Sequence, residues 1–367
     1  MKGATVNLLI LRSSTLFVNQ SQDIASEEYM NQIQCNGNSG TTSKIYQRLI
    51  WIDCLRGLAA ITVVFYHMLI ELQNKSAVKL IMLNGIVNPG RISVFLFFMI
   101  SGYVIRISTG GNQKRSRTFF LRRFVRLYPP YIICVLISIF FCFNGFFGEG
   151  VLNKQLALFN ASKIKYVIGI LTMEFSNLIG SFSPLAVDWT LAVELLFYFQ
   201  IYIIITVFPN MHFKYIYIVF IVASMFSDLC RYFPFLYAGT LFWDYSSNRL
   251  TRNSLILLLM LLPISCYWSN YAFEEAEVRS TYANCALVAI SIFSLIFVRN
   301  KIVEWNIFIY LGRISYSLYL IHMIVIHLVV EFQLPFPIIS MIVFTLVLSS
   351  VCYKYLEEPS ILFSRKL

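Results

Sequence analysis

Three groups of side chains in this sequence have the type and spacing to move a proton or hold an anion. The first is Asp53, Arg56 and His67, which interrupt an otherwise apolar run. At 100° per residue, the eleven-residue step from Arg56 to His67 returns to nearly the same helix face, about 16 Å further along the axis. Small residues at Gly57 and Ala60 lie beside that stripe, so another helix can approach it closely. Histidine is the side chain whose unperturbed pKa suits taking a hydroxyl proton near neutral pH. Two readings stand side by side: a site, or interfacial anchors at Asp53 and Arg56 with a packing histidine. The second group is cationic: Arg122, Arg123 and Arg126, where Arg122 and Arg126 stand at i and i+4 and could face one phosphate-bearing ligand. Such clusters also serve topology and lipid headgroups. The third is a stripe of Ser315, Tyr319 and His322 at i, i+4 and i+7, with His322 open to either a catalytic or a positioning role. Glu194 stands early in another apolar run and needs a partner there, His67 or a basic residue of another helix; beside His67 it could orient the imidazole as the acid of a triad does. Asp188 and Trp189 precede it, at what the charge pattern makes an outer surface, and suit sugar hydroxyls and ring faces.

The elements that position these groups belong in a bilayer. Of 367 residues, 58% are apolar and 13% charged, with a mean hydropathy of +0.70, whereas a soluble domain carries roughly a quarter charged residues. Ten apolar segments are readable, at about 54–73, 91–107, 128–147, 186–208, 214–228, 232–245, 254–268, 281–298, 309–330 and 335–356. Lipid forces such segments into helices, because the backbone must satisfy its own hydrogen bonds. The expected fold is therefore an all-α integral membrane protein of about ten transmembrane helices. The net charge of +11 does not indicate nucleic acid, because the basic residues sit in short connections between apolar runs. The connection 106–126 carries Arg106, Lys114, Arg115, Arg117 and the three arginines above, with no acidic residue, which assigns it and both termini to the cytoplasm. The segment 164–181, apolar but short, reads as re-entrant or interfacial. Residues 1–49 are rich in Ser, Asn, Gln and Thr and read as a disordered cytoplasmic extension, or as the product of an upstream start site. Residues 50–358 form the transmembrane domain and 359–367 a short basic cytoplasmic tail. Eight scattered cysteines without CxxC spacing give no metal site or disulfide framework.

The stretch IDCLRGLAAITVVFYH at 52–67 resembles the first-helix signature of the membrane acyltransferase-3 family, a basic residue followed by ten residues and then His. FLFFMISGYVI at 95–105, FFLRRFVRLYPPY at 119–131, VDWTLAVELLFY at 187–198 and SYSLYLIH at 315–322 follow in the family's order. The resemblance implies an enzyme of the plasma (inner) membrane that takes an acyl group, commonly acetyl, from coenzyme A and delivers it to a hydroxyl of a lipid-linked or exported glycan such as polysaccharide or lipopolysaccharide. It implies His67 as the essential residue with Arg56 as basic partner, Arg122, Arg123 and Arg126 as the acyl-CoA site, and no metal. His67 would deprotonate the acceptor, or be acylated itself; both routes stay open. Because the chain ends at Leu367, direct delivery to the acceptor is the expectation. In the FFMISGY match, Ser101 and Gly102 read as a close-packing point beside the site. The competing class is a transporter or flippase for a lipid-linked sugar, in which the same ionisable groups would line a pathway.

Overall fold

Apolar side chains face outward on this molecule. Phe140, Val219, Leu257, Val298 and Ile339 are all exposed, whereas Asp188, His322 and Glu357 are completely buried. That inversion of the usual arrangement suits a hydrocarbon solvent, which rewards apolar exposure and penalises an unsatisfied polar group. The structure is a computed structural model that describes residues 39–75, 86–109, 116–173, 185, 187–208, 211–227, 230–268, 276–299 and 306–367. Residues 1–38 and the 110–115 part of the cationic connection lie outside the described residues.

In chain order the helices are α1 (Ser39–Lys75), α2 (Pro89–Thr109), α3 (Ser116–Phe143), α4 (Glu149–Ala161), α5 (Lys163–Leu171), α6 (Trp189–Val207), α7 (Phe213–Phe226), α8 (Phe233–Ser246), α9 (Arg252–Trp268), α10 (Ala276–Arg299), α11 (Asn306–Arg313), α12 (Ser315–Glu331), α13 (Pro337–Cys352) and α14 (Glu358–Lys366). Among the described residues there is no strand, and the chain is an all-α integral membrane protein. Where described, each of the ten apolar segments falls largely on helix, although 309–330, read as one segment, is divided between α11 and α12. Six helices are long and apolar enough to cross a membrane, and a seventh span results if α11 and α12, bent by 76°, count as one. The shorter α7 and α9 are apolar as well. α8 is different: from Phe233 to Phe242 every side of it is buried, so it is an interior helix, apolar on all faces because protein surrounds it.

Three features of the ends and connections add to the reading of the sequence. α1 begins at Ser39, within the polar segment 1–49, as a helix already anchored by a span propagates at little cost into neighbouring residues. The short basic tail, 359–367, lies in α14, which packs against α3, with one turn of π-helix, Tyr353–Glu357, leading into it. The segment 164–181 is, where described, the nine-residue α5, pinned to α3 by the tyrosines of Tyr-Pro-Pro-Tyr: Tyr128 donates to the Leu171 carbonyl at 2.9 Å and the Tyr131 hydroxyl lies 2.7 Å from that of Ile170.

Two close helix contacts frame the interior. A methyl group added at Gly102 of α2 would collide with the Leu236 carbonyl of α8, and one added at Gly239 with the Met99 carbonyl. Likewise Gly57 of α1 faces the Phe308 carbonyl of α11, and Gly312 faces that of Asp53. Reciprocal glycines let backbones touch where lipid supplies no hydrophobic drive for association. At one end of the α2–α8 contact Arg106 donates to Asp244 at 3.0 Å. The pair is buried, and the guanidinium also lies over the rings of Phe213 and Trp243.

Candidate active site

α1 and α12 bring the two sequence-predicted histidines together. The rings of His67 and His322 lie 5.2 Å apart, centroid to centroid. His67 Nδ1 is 3.0 Å from the Val63 carbonyl oxygen and His322 Nδ1 is 2.7 Å from that of Tyr319. A carbonyl only accepts, so each neutral ring carries its proton on Nδ1 and presents Nε2 as the basic nitrogen. His322 Nε2 is buried without a hydrogen-bond partner among the described residues. A buried lone pair left unpaired costs free energy, and a hydroxyl group arriving beside it would recover that cost.

Of the two partners open to Glu194 in the sequence, His67 and a basic residue of another helix, the structure puts the second within range. Glu194 Oε1 accepts from Ser101 at 2.5 Å and also from Tyr198, and it lies in the electrostatic range of Arg123. The two imidazoles are instead held by carbonyls one turn back on their own helices, an arrangement available to any helical histidine and so needing no acidic partner. Arg56 also does not touch His67. It shares the face, as periodicity requires, but the eleven-residue step holds it three turns away, near Asp53 and within range of Glu357.

Arg56, Arg123 and Arg126 open onto a cavity of about 980 Å³, counted out to its mouth. Ser101, Glu194 and Tyr198 form part of its wall; Phe97, Phe98, Thr190 and Tyr319 line it towards the histidines. α12 runs along it, with Ser315, Tyr316 and Tyr319 facing in and His322 one turn beyond. Tyr319 shapes that junction: its hydroxyl lies 2.8 Å from both the Val187 carbonyl and Thr190 Oγ1, and its ring is 5.7 Å from His322 and 6.3 Å from Phe97.

The arginine pairing differs from the sequence expectation. Arg123 and Arg126 line the cavity and Arg122 does not. The reason is the rotation of α3, which buries Phe119, Leu127 and Tyr131. Those residues are spaced by multiples of four, so Arg123 falls within their stripe and Arg122 falls beside the exposed Leu121. Asp188 is also placed differently. It is fully buried, 3.2 Å from the Tyr131 hydroxyl, and not at a surface, while Trp189 packs at 4.8 Å on Tyr232.

Sequence reasoning missed Tyr198, Thr190 and Glu357. Glu357 is fully buried and its Oε2 accepts from the Ser317 amide at 3.2 Å and hydroxyl at 2.6 Å. It is aimed inward by the π-turn, a register shift that 3.6-residue periodicity does not reveal. Tyr198 was findable, since it stands four residues after Glu194 on one helix face.

A partly polar cavity within an apolar bundle, cationic at one end and reaching Tyr319 at the other with His322 one turn beyond it, is the candidate site of this membrane protein. A family model for an acyltransferase domain matches residues 49–354, and the chain belongs to the acyltransferase-3 family of membrane acyltransferases. ORF330 of Acidianus two-tailed virus, named as an acetyltransferase, is 26% identical over 294 residues, covering 74% of this chain and 81% of its own. The peptidoglycan O-acetyltransferase OatA of Listeria monocytogenes is 31% identical over 157 residues, 40% of this chain and 22% of that protein. No solved structure matches the chain.

Proposed function

We propose that this acyltransferase is an O-acetyltransferase that draws the acyl group from acyl-CoA at the arginine end of the cavity and delivers it to a glycan hydroxyl at the histidine end. The observation that carries this reading is the continuity of one cavity from Arg56, Arg123 and Arg126 to Tyr319, with His322 Nε2 unpaired behind it. Guanidinium forks suit the phosphates of coenzyme A, and the step of about 16 Å along α1 from Arg56 to His67 leaves room for an extended arm carrying the thioester inward.

In the proposed step, Nε2 of the histidine pair takes the acceptor hydroxyl proton as its oxygen attacks the thioester carbonyl. The carbon–sulfur bond then breaks, the acyl group stays on oxygen, and the thiolate leaves with the proton from the imidazolium. Ser101 and Tyr198 donate to Glu194, and Arg123 lies within its electrostatic range, so the carboxylate in the wall is already engaged by donors and faced by a cation. An acyl-histidine route uses the same nitrogen and differs by a trappable intermediate. The acceptor class rests on the name of OatA and on the aromatic lining near Trp189; an exported or lipid-linked glycan is the corresponding substrate in an inner membrane. On this reading the cationic connection is cytoplasmic, and an even number of crossings would bring both termini to the same side.

Family membership and acetyltransferase-named relatives favour transfer over translocation. Purified protein given radiolabelled acetyl-CoA and a panel of glycans should label a glycan. Glycan transport across proteoliposomes without label transfer would establish the flippase reading instead.

A further inference from the structure

The cavity stops short of the imidazoles, and what stops it is apolar. Val63, Val187 and Tyr319 form a small buried cluster, with Phe97 and Met323 packed against it. On α1 one face carries Arg56 at the cavity, then Val63 seven residues on, then His67 four further, whose Nδ1 is held by the Val63 carbonyl. On α12 the same order runs from Ser315 and Tyr316 at the cavity through Tyr319 to His322 and Met323. Two helices thus place the cluster between the arginine end and the histidines, so an acyl group carried inward to the imidazoles passes through it.

Of these five side chains only Phe97 and Tyr319 also line the cavity, so an incoming group meets them first. Tyr319 is pinned: its hydroxyl donates to the Val187 carbonyl at 2.8 Å and lies 2.8 Å from Thr190 Oγ1 as well. Phe97 has no polar atom to hold it, and its ring stands at 65° to that of Tyr319 with centroids 6.3 Å apart. The backbone beneath it is fixed, because Gly102 and Gly239 bring α2 into contact with α8 and Ser101, one turn on, donates to Glu194. With the helix and the facing tyrosine both held, the side chain at position 97 sets the width of the passage. Close-packed interiors resist even one added methylene, so a fixed width separates acyl groups that differ only in size.

We propose that Phe97 is the specificity-determining residue for the acyl group: with Tyr319 it forms a neck that admits acetyl to the histidine pair and turns back longer chains. This rests on the acyl-CoA reading of the cavity and adds the residue that sets the donor's size. The test uses the full-length protein in nanodiscs, a panel of glycans, and acetyl-, propionyl-, butyryl- and hexanoyl-CoA, with kcat/KM measured for each donor. At about tenfold or more per methylene, wild type should prefer acetyl over butyryl by at least about 100-fold. Phe97→Ala should lower that ratio by about tenfold or more and bring hexanoyl into use. Phe97→Leu should shift the ratio the same way by a smaller factor, and it decides the matter if the alanine variant does not fold. Val104→Ala, which enlarges the same cavity two turns nearer its cationic end, should leave the ratio at the wild-type value. A purely structural role for Phe97 would lower transfer from every donor alike and would not move the ratio. Wild type that uses butyryl-CoA as well as acetyl-CoA, or folded Phe97 variants with an unchanged ratio, overturns the proposal. An equal shift from Val104→Ala assigns the selectivity to the cavity as a whole and overturns it too. A wild-type protein that transfers no acyl group from any of the four donors removes the acyl-CoA reading along with it, whereas transfer without size dependence removes only the inference.

Discussion

Replacing His67 by Gln separates chemistry from architecture. In the wild type, Nδ1 donates to the Val63 carbonyl at 3.0 Å, and a glutamine amide can donate to the same oxygen while offering no basic nitrogen. If that hydrogen bond went unreplaced the loss would be about 1 kcal/mol. Losing a general base costs about 10²- to 10⁴-fold in rate, equivalent to about 2.7–5.5 kcal/mol of barrier. The second effect dominates, so kcat should fall by that factor with little change in the amount of folded protein. Arg56 is three turns back along α1, about 16 Å away, so acetyl-CoA affinity should stay at the wild-type value. The assay is single-turnover label transfer by purified protein, with acetyl-CoA binding and thermal stability measured on the same sample. His322→Gln belongs beside it: rings 5.2 Å apart that act as one unit should make the double variant little worse than the poorer single variant. A His67→Gln protein that is folded, binds acetyl-CoA and keeps kcat within about threefold of wild type would refute the assignment, since effects on true catalytic bases are far larger.

Arg123→Gln and Arg126→Gln should each raise the KM for acetyl-CoA by about 10- to 100-fold, from the 1.5–3 kcal/mol of a charged hydrogen bond, with Arg122→Gln nearly silent; equal effects at all three would indicate a general charge role. Asp244→Ala should destabilise the protein by about 3–5 kcal/mol by stranding Arg106, while Arg106→Met combined with Asp244→Leu should regain most of it, read as the thermal midpoint in detergent. Gly239→Ala should lower that midpoint through overpacking worth about 1–3 kcal/mol, because the new methyl meets the α2 backbone and not a movable side chain. A cysteine placed at Asn112 should react with an impermeant reagent only after the cells are opened; strong labelling of intact cells would invert the topology.

Composition and hydropathy alone determined the solvent of this protein and its long apolar helices, though not α4, α14 or the break between α11 and α12, because a bilayer demands unbroken apolar runs and those are visible without knowing what packs on what. The stripe from Arg56 to His67 and the one from Ser315 to His322 were legible for the same reason: helix periodicity decides which residues share a face. Which faces meet is another matter. That His67 and His322 adjoin, while Glu194 turns away to Ser101 and Tyr198, depends on the glycine contacts of α1 with α11 and α2 with α8. The inward turn of Arg123 instead of Arg122 depends on which residues of α3 the bundle buries. Glu357 reaches Ser317 through a π-turn, and Asp188 is drawn from an expected surface into the interior beside Tyr131. Local spacing constrains angles around one axis, and only packing sets the rotation and depth of each axis against the others, so the partners of every buried polar group were decided by the tertiary structure.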